Sequence, residues 1–274
     1  MSNRYIAVVS DQHITEPGSR LGTINTNRYS EQLFDELQSL TLPHAVVCLG
    51  DLADTAHNPE RGRALGSPES YANAKELASG LRRPILTVAG NHDDPALMQE
   101  YFPSHWSSTE SKLSHYSFHG IDLIALDART GPEATGFLPN ETIDELDVTL
   151  SRSNRALIFS HFPLTDFDND MVRRDLSVTN RDKIRPVLER HKGKIAGCYN
   201  GHLHTPLGGS LAGIPSTSVL SSSFGFNLRP HTDAQLAVRE SPRGYLMLSI
   251  DTDSSVTHWW QFLSDTGDTY EKSA

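Results

Sequence analysis

Short apolar runs recur along this chain, and five of them stop at residues able to bind a metal ion. Tyr5–Ser10 leads into Asp11 and His13, Ala45–Leu49 into Gly50 and Asp51, and Ile85–Ala89 into Gly90, Asn91, His92 and Asp93. Ala156–Ser160 delivers His161, and Ile195–Tyr199 leads into Asn200, Gly201, His202, Leu203 and His204. Runs rich in Val, Ile and Leu, bounded by glycine, read as buried strands. The segments between them carry the helical period; near Arg28–Leu40, Tyr29, Leu33, Phe34 and Leu37 fall on one face. Strands alternating with helices predict an α/β architecture, whose ligands bind beyond the carboxyl ends of the strands. Donors at separate strand ends can then meet at one point, as in a metalloenzyme.

The remaining pattern fills in that frame. Pro43 stops the first helix; Pro68–Ser79 and Pro95–Tyr101 read as two more, the latter opened by proline at a permitted early position. Leu113–His119 and Ile121–Asp127 form a hairpin across Gly120, followed by a helix near Asn140–Leu150. Asp182–His191 is helical, with Pro186 placing its start near Ile184–Arg185. Beyond Thr205 the texture turns to Gly/Ser/Pro-rich turns and short strands, the best being Ile214–Ser221, Gly244–Ile250 and Val256–Phe262. No linker or repeat interrupts the 274 residues, so one domain over 1–274 is expected, built as two stacked mixed sheets flanked by helices.

Composition narrows the partners. Hydrophobic residues at 37% and charged residues at 21% describe an ordinary globular protein. A formal net charge of −10 argues against a nucleic acid polymer as partner. It leaves a small phosphate substrate open, because bound cations reverse the local field. Cys48 and Cys198 lie inside strand runs and read as small buried hydrophobes, without a zinc-type cysteine pair. No stretch approaches the ~20 apolar residues of a membrane span, and the first apolar run is too short for a signal-peptide core. A cytoplasmic location is expected, and a homo-oligomer is compatible with the sequence.

Taken singly, the candidate ligands have ordinary alternatives. Asp11 and His13, two apart on an extended segment, share a face and suit a borderline divalent metal; equally, the Asp can cap a turn. Asp51 can bridge two metals or open a loop as Asp-Leu-Ala-Asp, and Gly90-Asn91 is by itself a good turn. A lone His161 is usually structural, and His202 and His204 can be a chance surface pair. Taken together, two carboxylates, one amide and four imidazoles make enough ligands for two adjacent cations.

The ordered set Asp-x-His, Gly-Asp, Gly-Asn-His-Asp, His and Gly-His-x-His resembles the calcineurin-like metallophosphoesterases over Tyr5 to about Ser222. The forms Gly90-Asn91-His92-Asp93-Asp94 and Gly201-His202-Leu203-His204 are most similar to bacterial class III cyclic-nucleotide phosphodiesterases and their glycerophosphodiesterase relatives. The resemblance implies a four-layer α/β/β/α sandwich and a binuclear metal centre of Fe, Mn, Zn or Co. One ion would take Asp11, His13, Asp51 and His204, the other Asp51, Asn91, His161 and His202. Gln12 stands where relatives more often have Thr or Ser, and Phe162 where they often have a second His. A non-enzymatic scaffold on this fold would be expected to have lost ligands, and none is missing.

A hydroxide supplied by two cations would attack phosphorus in line, which suits a chain without a nucleophile elbow or P-loop. His92, beside a ligand but not one itself, is the candidate to bind a phosphoryl oxygen or protonate the leaving group, with Asp51 as the bridge between the ions. Asp93 is a candidate to orient His92 or to cap the helix at Pro95; Asp127 is left structural. The resemblance implies hydrolysis of a small phosphodiester such as a 3′,5′-cyclic nucleotide, with a phosphomonoester as the alternative. Specificity falls to segments Glu16–Asn27, Thr55–Ser67, Leu164–Thr179 and Ser221–His231, to Arg20, Arg61, Arg63, Arg173, Arg174 and Arg229, and to Phe224 and Phe226 as stacking faces.

Overall fold

A computed structural model describes residues 3–56, 65–103, 107–108, 112–165, 167–228, 238–239 and 242–263. The first buried runs become β1 (Arg4–Val9), β2 (Ala45–Cys48) and β3 (Ile85–Thr87), parallel neighbours with Val8 beside Val47 and Val47 beside Leu86. Between them run α1 (Thr26–Ser39) and α2 (Pro68–Leu77), with α3 (Pro95–Tyr101) after β3. Each of these helices starts on a side-chain cap: Asn25 accepts from Arg28 N–H, Ser67 from Ser70 N–H, and Asp94 from Ala96 and Leu97.

The second sheet begins with β4 (Ser107–Ser108) and the hairpin β5 (Leu113–Phe118) and β6 (Ile121–Leu126). It continues through α4 (Asn140–Arg152), β7 (Ala156–Ser160), α5 (Asp170–Asp175) and α6 (Arg181–His191) to β8 (Ile195–Asn200), β9 (Leu207–Leu211) and β10 (Ile214–Ser218). A small ribbon, β11 (Gly225–Phe226) with β12 (Val238–Arg239), precedes β13 (Arg243–Ile250) and β14 (Val256–Leu263), which return to the first sheet. The strand orders are β14-β13-β1-β2-β3 and β4-β5-β6-β7-β8-β10-β9. Both sheets are mixed: β13 runs antiparallel to β1, and β5 antiparallel to β6.

Alternation of side chains along the strands makes three apolar layers between four structural ones. Ile6, Val8, Val47 and Leu86 meet Leu123, Ala125, Leu157 and Phe159 between the sheets. Their neighbours Ala7, Val9, Val46 and Cys48 face Leu33, Phe34 and Leu37 of α1, Tyr71 of α2 and Met98 of α3. On the far side, Ile124, Ala156 and Ile158 pack against Leu146, Leu150, Ile184 and Leu188 of α4 and α6. Burial of each Leu or Ile contributes about 1.5–3 kcal/mol, which makes these layers the main source of stability. The fold is thus the expected α/β/β/α sandwich. Cys48 and Cys198 are buried and free in different apolar layers, as their strand positions predicted. No described helix is long and apolar enough to cross a membrane.

Two local expectations need correction. α6 begins at Arg181, not near Ile184, and holds Pro186 inside it. Its first turn is closed before the proline: Lys183 N–H donates to Asn180 O, and Arg181 donates to Ser177 Oγ and Val178 O. The Gly-rich stretch after Thr205 holds strand β9 as well, and α5 was not anticipated; its single fully buried side chain, Val172, leaves no helical period to read.

Candidate metal centre

The parallel strands of both sheets deliver their carboxyl ends to one edge of the sandwich. Asp11 and Asp51 follow β1 and β2, Asn91 follows β3, and His161 and His202 follow β7 and β8. Beyond β1 and β2 the two chains stay zipped: Asp11 N–H donates to Gly50 O (3.0 Å), His13 to Asp51 O (2.9 Å) and Ile14 to Leu52 O (3.0 Å). Asp11 and His13 do converge, though not as alternate residues of an extended segment. Asp11, His13 and Asp51 are left-handed, with φ of 53°, 47° and 49°, as are His202 and His204 at 66° and 49°. Non-glycine residues there cost about 1–2 kcal/mol each, so the surroundings must hold them. Ser221 and Ser223 do so in part, their hydroxyls donating to Asp11 O and Gln12 O.

The loops after β2 and β3 lie in close contact. A Cβ at Gly50 would stand 2.6 Å from Gly90 N, and one at Gly90 would stand 2.8 Å from His161 Cε1. Asp93 fastens this crossing. Its carboxylate accepts from Gly90 N–H (2.8 Å), Leu52 N–H (3.1 Å) and Tyr71 Oη–H (2.9 Å), and the helix cap falls to Asp94. Tyr71→Phe should therefore lower unfolding stability by about 1–3 kcal/mol in a denaturant titration, since a charged acceptor and the Asp94 N–H both lose a buried partner.

Among the described residues two groups of donor atoms share Asp51, and a third, of His13, Asp54 and His92, lies beside them. Asp11, His13, Asp51 and His204 form the first, with His13 Nε2 3.2 Å from His204 Nε2 and 3.7 Å from Asp51 Oδ2, and His204 Nε2 3.4 Å from Asp11 Oδ1. Asp51, His161 and His202 form the second, with His161 Nε2 3.4 Å from Asp51 Oδ2, 3.1 Å from His202 Nδ1 and 3.2 Å from Asn91 Oδ1. Ligands held at about 2.0–2.2 Å from one ion stand about 3.0–3.6 Å apart, so these spacings suit a metal. Asp51 Oδ2 belongs to both groups. Every one of these side chains is buried.

The other nitrogen of each imidazole is already committed. His13 Nδ1 lies 2.9 Å from Asp54 Oδ2, His161 Nδ1 2.8 Å from Leu49 O, His202 Nε2 2.9 Å from Ala134 O, and His204 Nδ1 3.0 Å from Phe224 O. A carbonyl or carboxylate can only accept, so the proton sits on that nitrogen and the opposite lone pair turns inward. Lone pairs of His13 and His204 thus face each other, as do those of His161 and His202, among carboxylate and amide oxygens. Only a cation resolves such a set. With protons as the only cations, burial opposes the charged form of His161, yet Asp51 and Asp11 raise it to about 9. Burial and the charge of His161 push His202 down to about 3. Burial works against ionised Asp51 too, but His161 and His92 hold it well below the usual carboxylate range.

His92 sits beside the two groups and joins neither. Its backbone N–H donates to Asp51 Oδ1 (2.8 Å), and its Nδ1 lies 3.1 Å from Asp54 Oδ2. That leaves Nε2 free on a side chain 26% exposed, the most open of the cluster. Burial would lower this imidazole, but Asp51 and Asp54 raise it to about 9. Asp54 therefore orients two rings, His13 and His92, and was missed in the sequence although Asp51-Leu-Ala-Asp54 displays it. Asp54→Asn should cut metal affinity by about 10–100-fold in a chelator competition, in line with other carboxylates that hold a ligating histidine.

Other candidates fall elsewhere. Phe162 is fully buried beside Gly136, with its ring tilted against that of His202 at 4.9 Å, so it supports a ring and offers no surface to a substrate. Phe224 likewise packs on His13 and His204, while Phe226, half-buried, covers His204 at 4.3 Å. Arg173 pairs with Asp168 and Asp170, Arg174 with Asp175, and Arg20 with Thr23 O; Arg61, Arg63 and Arg229 lie outside the described residues. Arg129, not singled out by sequence, sits after β6 and donates to Asp93 O at 3.4 Å. Asp127 accepts from Arg129 N–H and takes no part in either donor group.

Comparison with known proteins shows the family and the fold. The model of a family described as calcineurin-like phosphoesterase matches residues 4–206. A probable cyclic nucleotide phosphodiesterase of Rhodopseudomonas palustris is 25% identical, over 94% of this chain and 92% of its own. A glycerophosphodiester phosphodiesterase of Enterobacter lignolyticus is 26% identical, over 73% of this chain and 70% of its own. A crystal structure of a dimetal phosphatase from Danio rerio shares the fold, with a TM-score of 0.65 at 17% identity, covering 93% of this chain and 98% of that one.

Proposed function

The chain belongs to the calcineurin-like phosphoesterase family, and we propose that it is a dinuclear-metal phosphodiesterase acting on a small diester such as a 3′,5′-cyclic nucleotide. It is a metal-dependent phosphoester hydrolase by family, and its relatives include proteins named as phosphodiesterases. The observation that carries the dinuclear reading is the pair of acceptor-only donor groups sharing Asp51 Oδ2. In this reading Asp11, His13, Asp51 and His204 hold one ion, and Asp51, Asn91, His161 and His202 the other. Mixed O and N donors suit Mn, Fe, Co or Zn.

Two such ions would supply an activated water and bind the phosphoryl oxygens for in-line attack. The chain's residues supply the rest. Asp54 fixes His92 through Nδ1, leaving Nε2 to hydrogen-bond a phosphoryl oxygen or to give its proton to the leaving oxygen. Asp51 Oδ1 holds the His92 backbone N–H, so bridge and acid are positioned by one carboxylate. Phe226 beside His204 gives the rim an apolar wall suited to an organic substituent.

Loading the protein with Mn or Zn should yield about two ions per chain and hydrolysis of a bis-aryl phosphodiester faster than of the aryl monoester. Faster monoester cleavage would transfer the assignment to phosphomonoesterase. One ion per chain at full activity would remove the dinuclear reading.

A further inference from the structure

The same strands have amino ends, and there the charge is of the opposite sign. His44 precedes β2, Arg82 and Arg83 precede β3, and the β5–β6 turn carries His119. Together with Pro43 and Tyr116 they line a cleft of about 690 Å³ spanning the edges of both sheets. That size suits a small molecule. No Asp or Glu is among the described residues that line it, in a chain whose formal net charge is −10. At about 3.3 Å per residue, the run from His44 to Asp51 puts this cleft about 20 Å from the donor groups.

Its donors are held and under-used. Arg83 Nη2 donates to Leu40 O at 2.9 Å, which fixes the guanidinium, while Nη1 is buried with no acceptor. His44 Nδ1 accepts Tyr5 N–H at 3.1 Å, so its Nε2 must carry the ring proton and act as a donor. The His44 ring lies 6.1 Å from Tyr5 in a stack, and His119 sits edge-on to Phe118 at 4.7 Å. Burial pushes His44 down, and the charges of Arg4, His119 and Arg83 push it further, as expected where positive groups converge without counter-charge.

We infer that this cleft is a second, non-catalytic site for a phosphate group, taken either from inorganic phosphate or from a nucleotide. Donors arriving from the segments before β2 and β3 and from the β5–β6 turn outnumber the oxygens of a carboxylate, and a phosphate offers more acceptors to them. A buried guanidinium N–H gains an acceptor in the process, and Arg forks suit phosphate.

The test is a titration of the zinc-loaded protein, isotope-labelled and followed residue by residue by NMR, with inorganic phosphate in one arm and adenosine 5′-monophosphate in the other. Saturable shifts at His44, Arg83 and His119 at millimolar concentration or below are expected, separate from those at the zinc-binding end. Arg83→Gln should weaken them about tenfold, with zinc content and turnover unchanged. Arg82→Gln, whose side chain is exposed, should act in the same direction without risk to the fold. Equal affinity in both arms assigns the site to free phosphate; tighter monophosphate binding with a shift at Tyr116 assigns it to a nucleotide. Shifts that fail to saturate by about 50 mM in either arm, or that persist unchanged in both variants, overturn the site.

Discussion

Asp51→Ala is expected to release both metal ions and to lower phosphodiester hydrolysis by at least about 10³-fold. Metal ions contribute several kcal/mol of transition-state stabilisation, and each 1.36 kcal/mol is a factor of ten. The effect is large because one carboxylate has three roles: Oδ2 stands 3.7 Å from His13 Nε2 and 3.4 Å from His161 Nε2, and Oδ1 holds the His92 N–H. Loss of activity through simple unfolding would look different. Against its burial, His161 and His92 hold Asp51 well below the usual carboxylate range in the metal-free protein, and Asp51 Oδ1 accepts the His92 N–H. The variant should therefore melt lower than wild type when both are stripped of metal. A variant that is still cooperatively folded at the assay temperature, by circular dichroism, and yet holds no metal has lost the ions through the missing ligand. A variant that still binds two ions would contradict the bridging role.

His92→Ala should behave in the opposite way, keeping both ions while turnover falls by about 10²-fold or more, in line with general-acid contributions. The side chain belongs to neither group that shares Asp51, touching them only edge-on at the His13 ring, and its free Nε2 is its unused polar atom. Leaving-group dependence separates the two roles open to it. If His92 protonates the leaving oxygen, the loss should be full for an alkoxide and small for nitrophenolate, which departs without a proton. If it binds a phosphoryl oxygen, both substrates should suffer alike. Turnover like wild type on both would remove His92 from the chemistry.

Much of this was legible because strands are short and buried. Runs such as Ala156–Ser160 allow little besides a strand, and a donor just after them must lie at the sheet's edge. The residues of the two groups that share Asp51 were all named from sequence as candidate ligands. What failed was local conformation and support. Nothing in Asp-x-His distinguishes an extended pair from two left-handed residues, since the turn is set by hydrogen bonds to Gly50 O and Asp51 O on another strand. The carbonyls of Leu49, Ala134 and Phe224 that set the histidine tautomers are backbone atoms, which every residue has, so sequence carries no mark of them. Asp54 had a visible signal, three residues after Asp51, but its partners come from two separate segments. Phe162, noted in the sequence as standing where relatives often have a second His, lies in the core, where Gly136 leaves room for its ring.

The left-handed residues at 11, 13, 51, 202 and 204 bear on how this protein can be engineered. At such positions glycine is the thermally favoured occupant, by about 1 kcal/mol apiece. A library screened only for melting temperature would therefore drift toward glycine at the very residues that gather the donors. Its best survivors would be robust and inert. Heat-tolerant variants of this fold should be selected with ions bound, so that a lost ligand registers as a loss of stability.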